Sequence, residues 1–192
     1  MFKRLFSRLD PGTRARALHM ALRILISGKK HPMWVGIYEF EHRNKDGELI
    51  EKWVVENALA DEGEGNILDA YLRAQNAPTT FYLALYNDTP VEADTMEDLT
   101  GEPSGNGYAR QEIERNSTGW PTLALDSGDF MATSKQVTFS ASGGSWGPVT
   151  YMVLTTTASG TAGLLLAYVA LSQSRTLQNG ETLGCKIKIK LQ

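Results

Sequence analysis

The sequence is poor in the residues that build metal sites and disulfides. Cys185 is the only cysteine among 192 residues, which excludes an internal disulfide and any zinc site made from several cysteines. The three histidines, His19, His31 and His42, do not have zinc-ligand spacing. We therefore predict no metal site and no cofactor, and we expect Cys185 to be a small core side chain.

Nucleotide-binding motifs and long apolar runs are also missing. The glycine clusters at 101–107 and 142–147 match neither the dinucleotide-binding nor the phosphate-loop spacing. No set of nucleophile, base and metal ligands can be assembled, so an enzyme is not expected. The longest apolar run, Ala162–Leu171, has about ten residues, which is roughly half of a membrane span. No membrane crossing is predicted.

Charge is divided unevenly along a chain whose formal net charge is −3. Residues 1–32 contain eight Lys or Arg and one acid, Asp10, whereas the rest contains eleven basic and twenty-one acidic residues. Such a basic arm meets an anionic partner or forms a solvated helix face, and both readings stay open. The residues predicted to contact a partner lie in the arm and just after it: Lys3, Arg4, Arg8, Arg14, Arg16, Arg23, Trp34 and Tyr38.

Residues 10–28 have the pattern of an amphipathic helix. Asp10 suits the N-cap, Pro11 the first helical position and Gly28 the end. Apolar residues at helical spacing form one stripe: Leu18, Ala21, Leu22, Leu25 and Ile26. A basic helix of this kind can lie on a membrane or dock on a protein, and we favour docking because nothing else indicates lipid.

From residue 33 onward the pattern is that of β-strands and turns. Asp46-Gly47 between two β-rich runs predicts a hairpin over residues 33–56. Further strands are predicted at 80–87, 108–115, 148–156, 162–172 and 182–192, with two short ones within 127–142 and a long polar loop at 88–107. We expect a mainly β protein, an antiparallel, jelly-roll-like β-sandwich. Its predicted parts are the arm (1–32), the hairpin (33–56) and the body with a leading helix (57–192).

The last predicted strand alternates strictly between apolar and basic residues. Leu183, Cys185, Ile187, Ile189 and Leu191 fall on one face and Lys186, Lys188 and Lys190 on the other. This pattern predicts a half-buried strand with a solvated lysine face. Lysines also protect an edge strand against the addition of another strand.

The acidic stretch "NALADEGEGNILD" (57–69) raises the question of a metal loop. A calcium-binding EF-hand fails here, because starting at Asp61 puts Gly63 at position 3 and Asn66 at position 6. A helix start fits better, with Asp61 as the N-cap and Glu64 as its capping-box partner. The stripe expected to be buried is Ile67, Leu68, Tyr71 and Leu72.

The four tryptophans, Trp34, Trp53, Trp120 and Trp146, are suited to stacking on sugars. In a β-sandwich such residues are more often core or interface anchors. Glycan binding is therefore kept as an alternative function that depends on exposed indole rings.

Four segments in fixed order resemble a known family. They are "PTTFYLALYNDTP", "GEPSGNGYARQEI", "VTFSASGGSWGPVTYMVLTT" and "GLLLAYVALSQSRTLQNGETL", preceded by the helical "NALADEGEGNILDAYLR". Together they resemble small structural proteins of tailed-bacteriophage virions over roughly residues 57–192. Residues 1–56 depart from the short form of that family and look like an added docking element.

The resemblance implies a virion component without enzymatic activity. We expect a capsid decoration, or cement, subunit that binds the major capsid protein or other virion proteins through its arm and hairpin. A tail, collar, baseplate or fibre-proximal subunit is the alternative, and glycan binding for host attachment is a further one. A homo-oligomer is expected, with no specific nucleic-acid partner.

Overall fold

A computed structural model describes residues Trp34–Leu191. The basic arm and its predicted helix at 10–28 lie outside the described residues. One helix and eleven strands are present in this range: β1 Trp34–Arg43, β2 Leu49–Glu56, β3 Ala58–Leu59, α1 Asp61–Leu72, β4 Thr80–Tyr86, β5 Gln111–Glu114, β6 Thr122–Asp126, β7 Asp129–Thr133, β8 Val137–Ser140, β9 Trp146–Thr155, β10 Leu165–Leu177 and β11 Thr182–Leu191. No helix among these residues is long and apolar enough to cross a membrane.

The strands form two antiparallel sheets. The first has the order β2-β1-β11-β7-β6, with β8 also pairing with β11, and the second has the order β3-β10-β9-β4-β5. The expectation of a mainly β, antiparallel sandwich is confirmed. The narrower expectation of jelly-roll connectivity stays a prediction.

The core lies where side chains of both sheets meet. Its largest fully buried members include Tyr38, Phe40, Leu83, Leu85, Ile113, Phe139, Met152, Leu171, Leu177 and Leu183. Burying one such side chain contributes about 1.5–3 kcal/mol, so this cluster is the main stabilising term. Cys185 is free and fully buried, as expected, and burial raises the pKa of its thiol.

The hairpin around Asp46-Gly47 forms β1 and β2. Asn44 organises its turn, because its side-chain carbonyl accepts hydrogen bonds from the Asp46 and Glu48 amides at 3.0 and 2.9 Å. The other edge of β1 pairs with β11 over ten residues, from Trp34 opposite Leu191 to Arg43 opposite Thr182. The hairpin is therefore built into the first sheet, and its treatment as a part separate from the body stays a prediction.

The last strand lies inside the first sheet rather than at its edge. β11 is a central strand, with β1 on one side and β7 and β8 on the other. Its lysines face carboxylates rather than open solvent: Lys188 Nζ lies 2.6 Å from Glu39 Oε1, and Lys190 Nζ lies 3.2 Å from Asp126 Oδ2. The alternation of apolar residues and lysines predicted the two faces of β11 correctly. It carries no information about which strands pair with β11.

Helix α1 exists where it was predicted, but the predictions of its N-cap residue and of its buried face are both wrong. Ala60 is the N-cap and no side-chain cap is formed; Asp61 is the first helical residue, and its amide donates to the Glu92 carbonyl at 2.9 Å. The buried positions are Gly63 and Asn66, whereas Leu68, Tyr71 and Leu72 are exposed. Acids do occupy the first turn, where the helix dipole favours them.

Strand β6 was not predicted. It pairs with β7 through a two-residue turn at Ser127-Gly128, whose φ values of 54° and 95° are typical of a type I′ hairpin turn. The sequence "DSGD" contains that turn signal. β6 has the alternation of a strand, with Leu123 and Leu125 on one face, but this five-residue pattern was not recognised.

Candidate interaction surface

The most unusual surface feature is the apolar face of the β6–β7 hairpin. Leu123, Leu125 and Phe130 are 71%, 65% and 56% exposed. Leu125 pairs directly with Phe130, and Leu123 pairs with Ala132. Directly paired residues and residues two apart lie on one face of an antiparallel ribbon. We call this face, formed by Leu123, Leu125, Phe130 and Ala132, the hairpin face.

The hairpin face continues the core face of the first sheet. Ala132 of β7 pairs with Ile189 of β11, so the two side chains share a face. Ile189 packs against the core cluster, and Ile187, two residues earlier, is buried in it. The hairpin therefore extends the core-facing side of the sheet to β6, where its apolar side chains are not covered by the rest of the described chain.

The opposite face of the hairpin is charged. Asp126 and Asp129 form the last pair before the turn. Lys190 Nζ lies 3.2 Å from the Asp126 carboxylate and 3.7 Å from that of Asp129. One nearly buried lysine thus partly neutralises two carboxylates on this side. The hairpin is amphipathic, with one apolar and one charged face.

An apolar cavity of about 180 Å³ opens at the end of the sandwich where β1 begins and β11 ends. Its wall comes from both sheets and from α1, and includes Tyr38, Ile67, Tyr71, Phe81, Trp120 and Ile189. Phe81 and Trp120 meet edge to face, with ring centroids 6.2 Å apart. Because Ile189 belongs both to this wall and to the row that leads to the hairpin face, the two apolar regions adjoin.

Helix α1 forms one side of the cavity and is held by polar contacts and a close backbone approach. A Cβ atom at Gly63 would lie 2.0 Å from the Leu166 carbonyl oxygen, so only glycine allows this approach. Asn66 Nδ2 donates to the Asn76 carbonyl at 2.8 Å, and Glu62 accepts from the Leu165 amide at 2.7 Å. With these anchors made by small and polar residues, Tyr71 and Leu72 are left 86% and 71% exposed.

The long polar loop at 88–107 is fixed by a buried arginine. Arg110 bonds Glu102 through Nε at 2.7 Å and through a terminal nitrogen at 2.8 Å, and its side chain is 2% exposed. It also donates to the Tyr86 hydroxyl and to the carbonyls of Thr157 and Gly160. Burial is the main cause that raises the pKa of Tyr86. One side chain thus joins two loops and β4.

The residues predicted to bind a partner are only partly within the described range. The six basic residues of the arm lie outside it, and Trp34 is described as the first residue of β1 without its side chain. Tyr38 is 1% exposed and contributes to the cavity wall. A partner could therefore reach Tyr38 only through the cavity. Their role in partner binding stays a prediction.

The tryptophans with described side chains do not present open indole faces. Trp146 is buried and its Nε1 donates to the Ser140 carbonyl at 3.2 Å. Trp53 is stacked on Phe40 at 4.9 Å, and the Arg175 guanidinium lies 4.0 Å from its ring. Trp120 is half-buried at the cavity. Sugar stacking through these rings stays a prediction, and the packing gives it no support.

The described residues also lack the geometry of a catalytic or metal site. Residues 34–191 contain no group of three or more His, Cys, Asp and Glu side chains able to hold a metal ion. Gly143–Gly147 does match the Gly-x-Ser-x-Gly pattern of hydrolases, although no such nucleophile elbow was expected from the sequence. That pattern needs a strand-to-helix turn, whereas Ser145 directly precedes strand β9. His42, the one histidine in this range, pairs with Glu181 at 3.1 Å.

Fold and surface together define a β-sandwich with an exposed apolar face on its β6–β7 hairpin. Comparison with known families gives its place: residues 58–190, over two thirds of the chain, match the family described as podophage GP4 fiber I protein gp80. The chain belongs to this family of phage fibre proteins. It is a non-enzymatic structural protein of the bacteriophage virion, as the sequence resemblance predicted. No curated protein matches it.

Proposed function

We propose that this protein is a subunit of the fibre apparatus on the phage tail. The observation that carries the proposal is the family match, which covers the sandwich apart from the hairpin of β1 and β2 and names a fibre protein. This favours the tail alternative over the capsid decoration role that we first expected. A sandwich with loops fixed by Arg110 and Glu102, and with an uncovered apolar hairpin face, fits a building block of an assembly.

The basic arm supplies the attachment in this proposal. Eight of the nineteen Lys and Arg residues lie in residues 1–32, so this short segment concentrates positive charge on an otherwise acidic chain. An acidic surface on a neighbouring virion protein would attract it and orient the subunit. Repeated subunits in one particle would then hold through many contacts of modest strength.

Location in the particle is tested by copy number and by labelling. Quantitative gel analysis of purified virions would give the number of chains per particle, and gold-labelled antibody would show their position. A tail component follows the low-order symmetry of the tail and is present in few copies, whereas a decoration protein follows the capsid lattice in far larger number. Few copies with label at the tail are expected; capsid-wide label would overturn the proposal.

Attachment through the arm is tested by removing charge without shortening the chain. The variant Arg14→Gln, Arg16→Gln, Arg23→Gln is expected to enter particles less efficiently than the unmodified protein. Arg73→Gln is the matched control, because Arg73 is exposed on the described sandwich and contacts Asp69 within α1. Equal incorporation of both variants would exclude a role for the charge of the arm.

A further inference from the structure

We propose that the apolar cavity where β1 begins and β11 ends, together with Arg115 in its wall, binds a carboxylate that carries one aromatic or branched aliphatic group. A free hydrophobic acid and the C-terminal residue of a peptide both have this chemistry. The proposal goes beyond a place in the fibre apparatus, because it concerns a ligand of the chain itself.

The first step is the size and the lining of the cavity. Its volume of about 180 Å³ is close to that of an engineered apolar cavity of about 150 Å³ that binds benzene, so one ring with a short substituent fits. Phe81 and Trp120 meet edge to face in the wall, with ring centroids 6.2 Å apart. A third ring can add to such a pair in the geometries that aromatic side chains prefer.

The second step is that the two amide side chains in the wall serve the protein itself. Asn57 Oδ1 accepts from the Gly36 amide at 2.9 Å, and the Asn57 amide donates to the Gly36 carbonyl at 2.9 Å. Asn66 Nδ2 donates to the Asn76 carbonyl at 2.8 Å. These contacts hold the start of β1 and helix α1 in place, so the cavity is formed before any ligand binds.

The third step is that Arg115 is a cation without a carboxylate. The other four arginines of residues 34–191 each pair with an acidic side chain: Arg43, Arg73, Arg110 and Arg175. Within this range, Arg115 has no such partner; it is exposed, and one terminal nitrogen donates to the Pro78 carbonyl at 3.3 Å. Its remaining N–H groups can hold a carboxylate in the bidentate geometry that arginine favours.

Together these features select the class of ligand. Arg115 is the only charged side chain among the described residues that line the cavity, so a cationic ligand would be repelled there. A strongly polar ligand would lose its hydration inside the apolar wall without gaining partners. A ring joined to a carboxylate by a short chain fits both parts, with the ring in the cavity and the carboxylate on Arg115.

The test is a titration of the ¹⁵N-labelled full-length chain with phenylacetate, followed through its amide and indole N–H signals by NMR. We expect saturable shifts that include the Trp120 indole, with a Kd in the millimolar range or below. Phenylacetamide, which is uncharged, should bind about tenfold more weakly, because it loses the charge-assisted hydrogen bonds to Arg115. High salt should reduce this difference, since Arg115 is exposed.

The source of the carboxylate is distinguished by a peptide. The tripeptide acetyl-Gly-Gly-Phe presents the same ring and a carboxylate at the end of a chain. Tighter binding of the peptide than of phenylacetate would identify a protein C-terminus as the ligand, and tighter binding of phenylacetate a free acid. Either result supports the proposed chemistry.

Variants separate the charge from the cavity. Arg115→Gln should bind phenylacetate and phenylacetamide equally, whereas Arg73→Gln, the matched control on α1, should keep the preference for the acid because Arg73 lies outside the wall and pairs with Asp69. Ala70→Leu puts a larger side chain into the wall and should abolish binding of both compounds. Circular dichroism verifies the fold of each variant.

Three results would overturn the proposal. They are no saturable binding to the unmodified chain, shifts that leave the Trp120 indole unaffected, and a folded Arg115→Gln variant that still prefers the acid. None of them depends on copy number or on position in the particle, so the outcome is separate from the test of the proposed function.

Discussion

The middle of the sandwich and its open end use the same residue types in opposite ways. Leu83 and Leu85 of β4 are completely buried between the sheets, whereas Leu72 of α1 and Leu123 of β6 are each 71% exposed. All four are leucines in regular secondary structure. The difference shows that the burial of an apolar residue is decided by whether another layer covers it, and not by its own hydrophobicity.

Polar contacts differ between the two regions as well. Where two loops meet the end of β4, Arg110 is buried and donates hydrogen bonds to a carboxylate, a hydroxyl and two carbonyls. At the open end, Arg115 beside the cavity is exposed and makes one bond of 3.3 Å to the Pro78 carbonyl. The middle is therefore expected to determine stability, and the open end to determine association.

The largest expected difference in stability is between alanine variants of two leucines, Leu85 and Leu72. Leu85→Ala should lower the free energy of unfolding by about 2–5 kcal/mol, because it removes a fully buried side chain and leaves a cavity. Leu72→Ala should change it by less than about 0.5 kcal/mol, because this side chain is already in solvent. Urea denaturation of both variants measures the difference. Equal losses would mean that Leu72 is covered in the folded protein.

The next effect compares the two arginines. Arg110→Ala should cost about 3 kcal/mol, because it leaves the Glu102 carboxylate and two carbonyls without their donor. Arg115→Ala should cost well under about 1 kcal/mol, as is usual for an exposed side chain. The same denaturation measurement applies. If Arg110→Ala lowered the free energy of unfolding no more than Arg115→Ala, the buried Arg110 network would not stabilise the loops.

The smallest effect concerns the start of α1. Asp61→Ala should lower stability by about 0.3–1 kcal/mol, since Asp61 acts on the helix dipole and makes no side-chain cap bond. The loss should shrink at high salt, which screens an exposed charge. Asp61→Asn is the control, because it removes the charge while keeping the size. A larger, salt-independent loss would restore the capping role that the structure does not support.

Periodicity predicted the features that depend on neighbours in sequence. The alternation of β11, the turn at Asp46-Gly47 and the helical start near Asp61 all appear where expected. The turn between β6 and β7 was also present in the sequence as Ser127-Gly128, but the short alternation of Leu123 and Leu125 in β6 was not recognised as a strand. The arm at 1–32 lies outside the described residues, and its predicted helix remains untested.

Other features depend on distant residues and could not be predicted. The apolar stripe expected to be buried on α1 is exposed, because the helix is seated through Gly63 against the Leu166 carbonyl and through Asn66. Arg110 lies in one of the family segments, but its bonds to Thr157 and Gly160, 47 and 50 residues further along the chain, had no signal in the sequence. The hairpin face was likewise invisible, since it results from the second sheet ending before it reaches β6.

The sequence by itself determined the local elements, the charge division between arm and body, and, through its ordered motifs, membership among phage structural proteins. Tertiary structure alone decided that β11 is central, that α1 presents Leu68, Tyr71 and Leu72 to solvent, and that the hairpin face is uncovered. The physical reason is that strand and helix patterns arise from contacts a few residues apart. Whether an apolar side chain is buried depends instead on which sheet or helix packs over it. That packing is set by the pairing of strands far apart in the chain.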